Sequence, residues 1–247
     1  DVYKRQVYYR YLHVIENNYV KKHNLNRRER KFTCLIRANK IWRKIYASYL
    51  HQLNIYQQGF FSFTGYNYET SHVGLDDIEK WKGYDESLPA DILSFEMQTP
   101  FTVDELTDAD HNNHKLINKK FFTEAYFNYI VETHFDNDTI FLTEKTFKSI
   151  LNLQPFIIIG NPGSLRLLKD LGYKTFSEVI KEDYDQIFDH KDRMSQLLKS
   201  SFDLCNLSHT HHIRIQSILS QTLQHNQRLF LSPKTNRINQ MLKELEY

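Results

Sequence analysis

The chain has 247 residues, a formal net charge of +2, 40% apolar and 25% charged residues, which suits one large domain or two small ones with a substantial core. So small a net charge makes no bulk electrostatic case for nucleic acid, and no apolar run approaches the ~20 residues that span a bilayer. Cys34 and Cys205 are the only cysteines; two distant thiols build neither a disulfide framework nor a zinc site. Cys34 sits in an apolar strand pattern and reads as a buried thiol. A reducing, cytoplasmic compartment is the expectation.

No signal peptide is visible. Asp1-Val2-Tyr3-Lys4-Arg5-Gln6 resembles the translation of a sequencing-library adapter, and no Met opens the chain. We take residues 1–6 as an artefact and expect a fragment that lacks its own N-terminal part. Tyr8 to Tyr19 carries apolar and aromatic residues at mixed helical spacing and predicts a short helix. Lys21 to Lys31 is strongly basic. It reads as a solvated linker or, less simply, as an anion-binding patch. We divide the chain into residues 1–30 as remnant and linker, 31–205 as the main α/β domain, and 206–247 as a C-terminal helix and tail.

Phe32-Thr33-Cys34-Leu35-Ile36 predicts a strand. Ile41, Ile45, Tyr49 and Leu53 recur at i, i+4 and predict an amphipathic helix to Tyr56. Gly59 closes that unit, and Phe60 to Phe63 predicts a second strand. Thr64 to Lys120 is irregular, with turn residues and acidic clusters at Asp76-Asp77 and Asp104 to Asp110. It reads as loops and short helices, functional or inserted. Asp76-Asp77 could imitate a metal-binding pair but more often caps a helix.

Tyr126 to Val131 predicts a strand ending at Glu132, and Thr143 to Asn152 a helix. Pro155 to Ile159 is a short isoleucine-rich run, the pattern of a strand buried on both faces. Ser164 to Leu171 predicts a helix with Ser164 as N-cap and Gly172 behind it. Tyr173 to Phe176 reads as a short strand. Tyr184 to Ser200 and Ser208 to Phe230 read as helices. The clustered His209, His211 and His212 do not share one helix face, so a solvated helix is preferred over zinc. No Rossmann or P-loop glycine motif is present. Strands alternating with helices predict a parallel sheet covered on both faces.

In such sheets ligands bind beyond the carboxyl ends of the strands. Several chemistry-bearing groups fall there: Arg37 and Arg43 after the first strand, Glu132 and Thr133 after the Tyr126 strand, Thr143-Glu144-Lys145 opening the next helix, and Gly160-Asn161-Pro162-Gly163 after the isoleucine strand. Cations converging on a helix N-terminus suit a pyrophosphate, and the two glutamates could accept from sugar hydroxyls. Each group also has a plain reading. Glu144 and Lys145 can be ordinary first-turn residues behind a Thr143 cap, Arg43 a surface charge, and Gly160 to Gly163 a tight turn.

Val131-Glu132-Thr133-His134, Phe141-Leu142-Thr143-Glu144-Lys145 and Gln154 to Gly160 together resemble the C-terminal motif of α-1,3-fucosyltransferase-like glycosyltransferases. In that family the strand ends Phe-Glu-Asn-Ser and the helix opens Tyr-Val-Thr-Glu-Lys. Phe32 to Gly59 looks like the family's first strand and helix in the same domain. Phe32 to Phe176 as a whole also resembles uncharacterised glycosyltransferase-like proteins of tailed phages. The resemblance implies a Rossmann-like parallel sheet with helices on both faces, as the C-terminal, donor-binding half of a GT-B glycosyltransferase.

The resemblance also implies roles. Residues 31–205 would bind a nucleotide-diphosphate sugar as co-substrate, with no other cofactor and no metal. Arg43 and Lys145 would hold the diphosphate, Glu144 the ribose, and Glu132, Thr133, Phe141, Thr143, Gly160 and Asn161 would complete the donor site. The sugar would pass with inversion to an acceptor, a glycan, a protein or modified DNA, presented by a missing N-terminal acceptor domain. Thr133 replaces the family's Asn and Phe141 its Tyr, which leaves base and sugar open. The family's general base belongs to the missing domain, so Glu132 is the one local carboxylate to test for that role. Two other readings stay open: a non-catalytic binding module on the same fold, and a phage DNA-base glycosyltransferase.

Overall fold

The computed structural model describes residues 6–7, 19–66, 80–85, 88–103, 118–136 and 139–232. The expected Tyr8 to Tyr19 helix, the acidic clusters at Asp76-Asp77 and Asp104 to Asp110, and the tail after residue 232 lie outside those residues, apart from Tyr19 itself.

Strand β1 (Arg30–Ala38) leads into helix α1 (Ile41–Gln52), and strand β2 (Phe60–Tyr66) returns beside β1. The chain continues through α2 (Leu88–Glu96) and the single turn α3 (Lys120–Thr123) into β3 (Ala125–Val131). Helix α4 (Glu144–Leu151) and strand β4 (Phe156–Ile159) follow, and then α5 (Ser164–Asp170), α6 (His190–Asn206) and α7 (His209–Phe230). These four strands pair parallel in the order β2-β1-β3-β4, and the two-residue strands Gln6–Val7 and Phe141–Leu142 form a separate parallel pair. This is the expected α/β fold with a parallel sheet.

Burial explains the strands. β3 has six of its seven residues buried and β4 all four, as a strand covered on two faces requires. Tyr126 and Tyr129 stand three positions apart on β3 and so point to opposite faces. Tyr126 stacks on His212 of α7, whereas Tyr129 donates its hydroxyl to the Ser201 carbonyl of α6 at 2.9 Å. Helices therefore cover both sides of the sheet.

The details correct several expectations. β1 runs two residues beyond Ile36, so Arg37 lies inside the strand and not after it. Helix α1 stops at Gln52 because Asn54 turns left-handed (φ 59°), a common helix terminator. Its buried stripe runs through Ile41, Ile45, Tyr46 and Leu50, and Leu53 faces solvent.

Tyr173 to Phe176 is not a strand. Both backbone groups of Lys174 bond the Asn226 side chain, at 2.8 Å each, and Phe176 N–H donates to Glu182. Side chains satisfy there what a neighbouring strand would. The expected Tyr184 to Ser200 helix divides into a 3-10 turn (Asp183–Gln186) and α6, which starts behind an Asp189 cap.

Arg28 also departs from the linker reading. It is 6% exposed and donates to the carbonyls of Phe122 and Ala125, while the Tyr126 hydroxyl accepts from its backbone N–H. His212 is likewise buried, not solvated as expected for its helix.

Candidate functional site

The crossovers from β1 and β3 run to opposite sides: β1 is followed by β2 on its left in the order, β3 by β4 on its right. The carboxyl ends of β1 and β3 thus flank the topological switch point, the place where an open parallel sheet offers a crevice. The side chains around it come from the start of α1, the end of β3 and the start of α4.

Glu132 directly follows β3 and is 1% exposed. Its Oε1 accepts from Thr143 N–H at 3.0 Å and from the Thr146 hydroxyl at 2.9 Å, and its Oε2 accepts from the Thr143 hydroxyl at 2.6 Å. A buried carboxylate at a helix start is favoured by the unpaired N–H groups and the dipole. Lys145 Nζ lies 3.9 Å from Glu132 Oε2, 3.8 Å from Glu144 Oε1 and 3.2 Å from Thr143 Oγ1. Thr143 caps α4 as expected, accepting from Lys145 N–H.

Arg43 is 5% exposed. Its Nη2 and Nε donate to the Glu132 carbonyl at 3.0 and 3.3 Å, and Nη2 also approaches the Val131 carbonyl at 3.5 Å. The structure thus gathers Arg43, Glu132, Thr143, Glu144 and Lys145 at one strand end. Thr133 stands beside them, and Phe141 contacts the His134 ring.

Gly160 also meets this group. A methyl placed on it would come 3.3 Å from Glu132 Cβ and 3.1 Å from the Ile158 side chain, so a larger residue there would press on Glu132. Asn161 donates to the Thr139 carbonyl at 2.6 Å.

The α5 start behaves differently from expectation. Gly163, at φ 79°, holds the N-cap position. Ser164 is the first helical residue and donates back to the Asn161 carbonyl. The cap comes from far along the chain: Asp185 accepts from Leu165 N–H and Arg166 N–H at 2.8 and 3.0 Å. That helix end already holds a carboxylate from its own chain.

Five members of the cluster, Lys40, Trp42, His134, Thr146 and Lys148, were not assigned to it from the sequence. Lys40 donates to the Thr133 carbonyl at 3.0 Å, with its ammonium 5.1 Å from the Trp42 ring centre. Burial, then Arg43 and Lys145, pull the Lys40 ammonium down to about 8. Lys148 also falls to about 8, mainly by burial. His134 is lowered by burial and by Lys40 and Arg43. Thr146 completes the Glu132 cradle. Lys40 and Trp42 follow β1 as Arg43 does, so strand-end placement could have found them. Thr146 is i+3 from Thr143, one helical turn on.

The result is a cation-rich strand end, Lys40, Arg43, Lys145 and Lys148, around the buried Glu132 and the half-buried Glu144. Such a cluster can receive an anion at its half-buried lysines. Among the described residues no three His, Cys, Asp or Glu side chains gather as a metal site, and no helix is long and apolar enough to cross a membrane. Comparison with models of protein families, with characterised proteins and with solved structures returned no match. What stands is the class: an α/β protein with an open parallel sheet and a cationic cluster at its switch point.

Proposed function

We propose that this domain is the donor-binding half of a GT-B glycosyltransferase, taking a nucleotide-diphosphate sugar and passing the sugar with inversion to an acceptor held elsewhere. The observation that carries this reading is Lys145. It opens α4, its side chain is 32% exposed, and it stands at the switch point beside the buried Glu132. A diphosphate leaving an oxocarbenium-like sugar gains negative charge. Fixed cations in a partly dry site stabilise that charge as it develops. Glu144, 14% exposed and 3.8 Å from Lys145, supports the reading as the acceptor for ribose hydroxyls.

The test is calorimetry with guanosine, uridine and adenosine diphosphates and their sugar conjugates. A binding isotherm for one of them that Lys145→Ala abolishes supports the reading. Equal binding by the variant sinks it.

One observation favours a second reading, a non-catalytic donor-binding module. Glu132, the local candidate base, is buried with both carboxylate oxygens engaged, so it is an anchor and does not reach an acceptor. Donor hydrolysis or transfer measured on a longer chain separates the two. The DNA-base version has less support, since the basic segment that suggested it holds Arg28 and Lys31 against backbone carbonyls.

A further inference from the structure

We propose that Lys40, and not Arg43, is the second cation of the donor's diphosphate, working with Lys145 across the end of β3. This deepens the donor-binding reading and rests on it. Arg43 is buried, and its guanidinium already grips the Glu132 carbonyl through two nitrogens. A phosphate chelated through Nε and Nη2 would displace main-chain carbonyls at the end of a central strand, leaving buried acceptors unmet. Its geometry is that of a peg that closes β3.

Lys40 differs in each respect. It is half-buried, it precedes α1, and Thr133 O takes one of the three N–H donors of its ammonium. Its four-carbon stem can swing that charge toward a ligand. Lys40 and Lys145 meet successive residues, the Thr133 carbonyl and the Glu132 carboxylate, from the starts of two different helices. An anion in front of β3 would therefore lie between them. The first turn of α1 carries no acidic residue and its cap residue makes no side-chain bond to it, so its amides add to the same field.

The charges facing Lys40 are Arg43 on its own helix, Lys145 on α4, and Asp136 in the segment after β3. His134 in that segment faces it as well, and its own charge is suppressed by Lys40 and Arg43. Burial first, and then the two cations among these neighbours, lower Lys40 to about 8. A bound diphosphate favours the protonated form. Affinity must then fall as pH rises through that value, because the neutral amine no longer attracts the anion.

The test uses inorganic pyrophosphate, and separately guanosine and uridine diphosphates, titrated into the whole chain and into Lys40→Ala and Lys40→Arg. We expect Lys40→Ala to weaken pyrophosphate binding ~10-fold or more, the scale of one lost charge-assisted contact. Lys40→Arg keeps its charge at any working pH. It should bind at about neutral pH and lose less affinity than the wild type toward about pH 9. Wild-type affinity in Lys40→Ala, or identical pH profiles for wild type and Lys40→Arg, overturns the inference and leaves the donor reading standing. Pyrophosphate binding that depends on Lys40, with no response to any nucleotide or nucleotide sugar, overturns the donor reading and leaves the anion site. Binding of no anion at all overturns both.

Discussion

Thr143 gives its hydroxyl hydrogen to Glu132 Oε2 at 2.6 Å, across eleven residues of chain. The contact fastens the start of α4 to the end of β3 and so sets where Lys145 stands. It makes Glu132 an internal counter-charge, and the site's cations are arranged around that buried carboxylate.

Removing this anchor should be costly. Glu132→Ala leaves Thr143 N–H and two hydroxyls without their acceptor and Lys145 without its nearest buried charge. The expected loss is about 3 kcal/mol or more in urea unfolding, and Glu132→Gln should lose less because it keeps one acceptor oxygen. A loss below about 1 kcal/mol for the alanine variant would mean that water takes over the cradle.

Arg43→Ala should act on stability first. The side chain is buried against the Val131 and Glu132 carbonyls, so its removal should cost about 2–4 kcal/mol, combining lost packing with unmet acceptors. Lys145→Ala should cost less, about 0.5–1.5 kcal/mol, because its ammonium is 32% exposed and Glu132 keeps its three hydrogen bonds to Thr143 and Thr146, while removing donor binding. Guanidinium unfolding and calorimetry on the two variants check this contrast. A stable Arg43→Ala protein that has lost only ligand affinity would reverse the assignment of roles.

His212 should make the protein acid-sensitive. Its ring is buried and stacks on Tyr126 at 4.6 Å, and among the described residues neither ring nitrogen has a hydrogen-bond partner. Burial first, then Lys31 and its neighbouring histidines, lowers it from 6.5 to about 3. Between those values the unfolded chain binds a proton that the folded protein excludes. Stability is therefore full above the unfolded value and falls as pH drops, at up to about 1.4 kcal/mol per pH unit from this group. His212→Phe keeps the stacking and should unfold later than wild type at about pH 5. Parallel pH profiles for the two proteins would exclude His212 as the source.

Asn226→Leu tests the segment after α5. Asn226 alone pairs both backbone groups of Lys174, so the variant should lose about 1–3 kcal/mol. Hydrogen exchange should quicken at Lys174 N–H in particular. Unchanged protection there would show that another acceptor holds the segment.

The amino-acid order alone determined the alternation of strands and helices, the doubly buried isoleucine strand, and the Thr143 cap before Glu144 and Lys145. Each of these is written in residues a few positions apart, through side-chain period and the hydrogen bonding of one helix turn. Tertiary structure decided what depends on which distant groups meet. The order β2-β1-β3-β4 brings α1 against the end of β3, where Arg43 becomes a buried peg and Lys40 a half-buried cation. The same packing turned His212 inward, gave Asp185 to the α5 start, and let Asn226 stand in for a strand partner. Spacing in the chain carries no record of such long-range contacts, because they form only when the sheet closes and buried polar groups take the partners within reach.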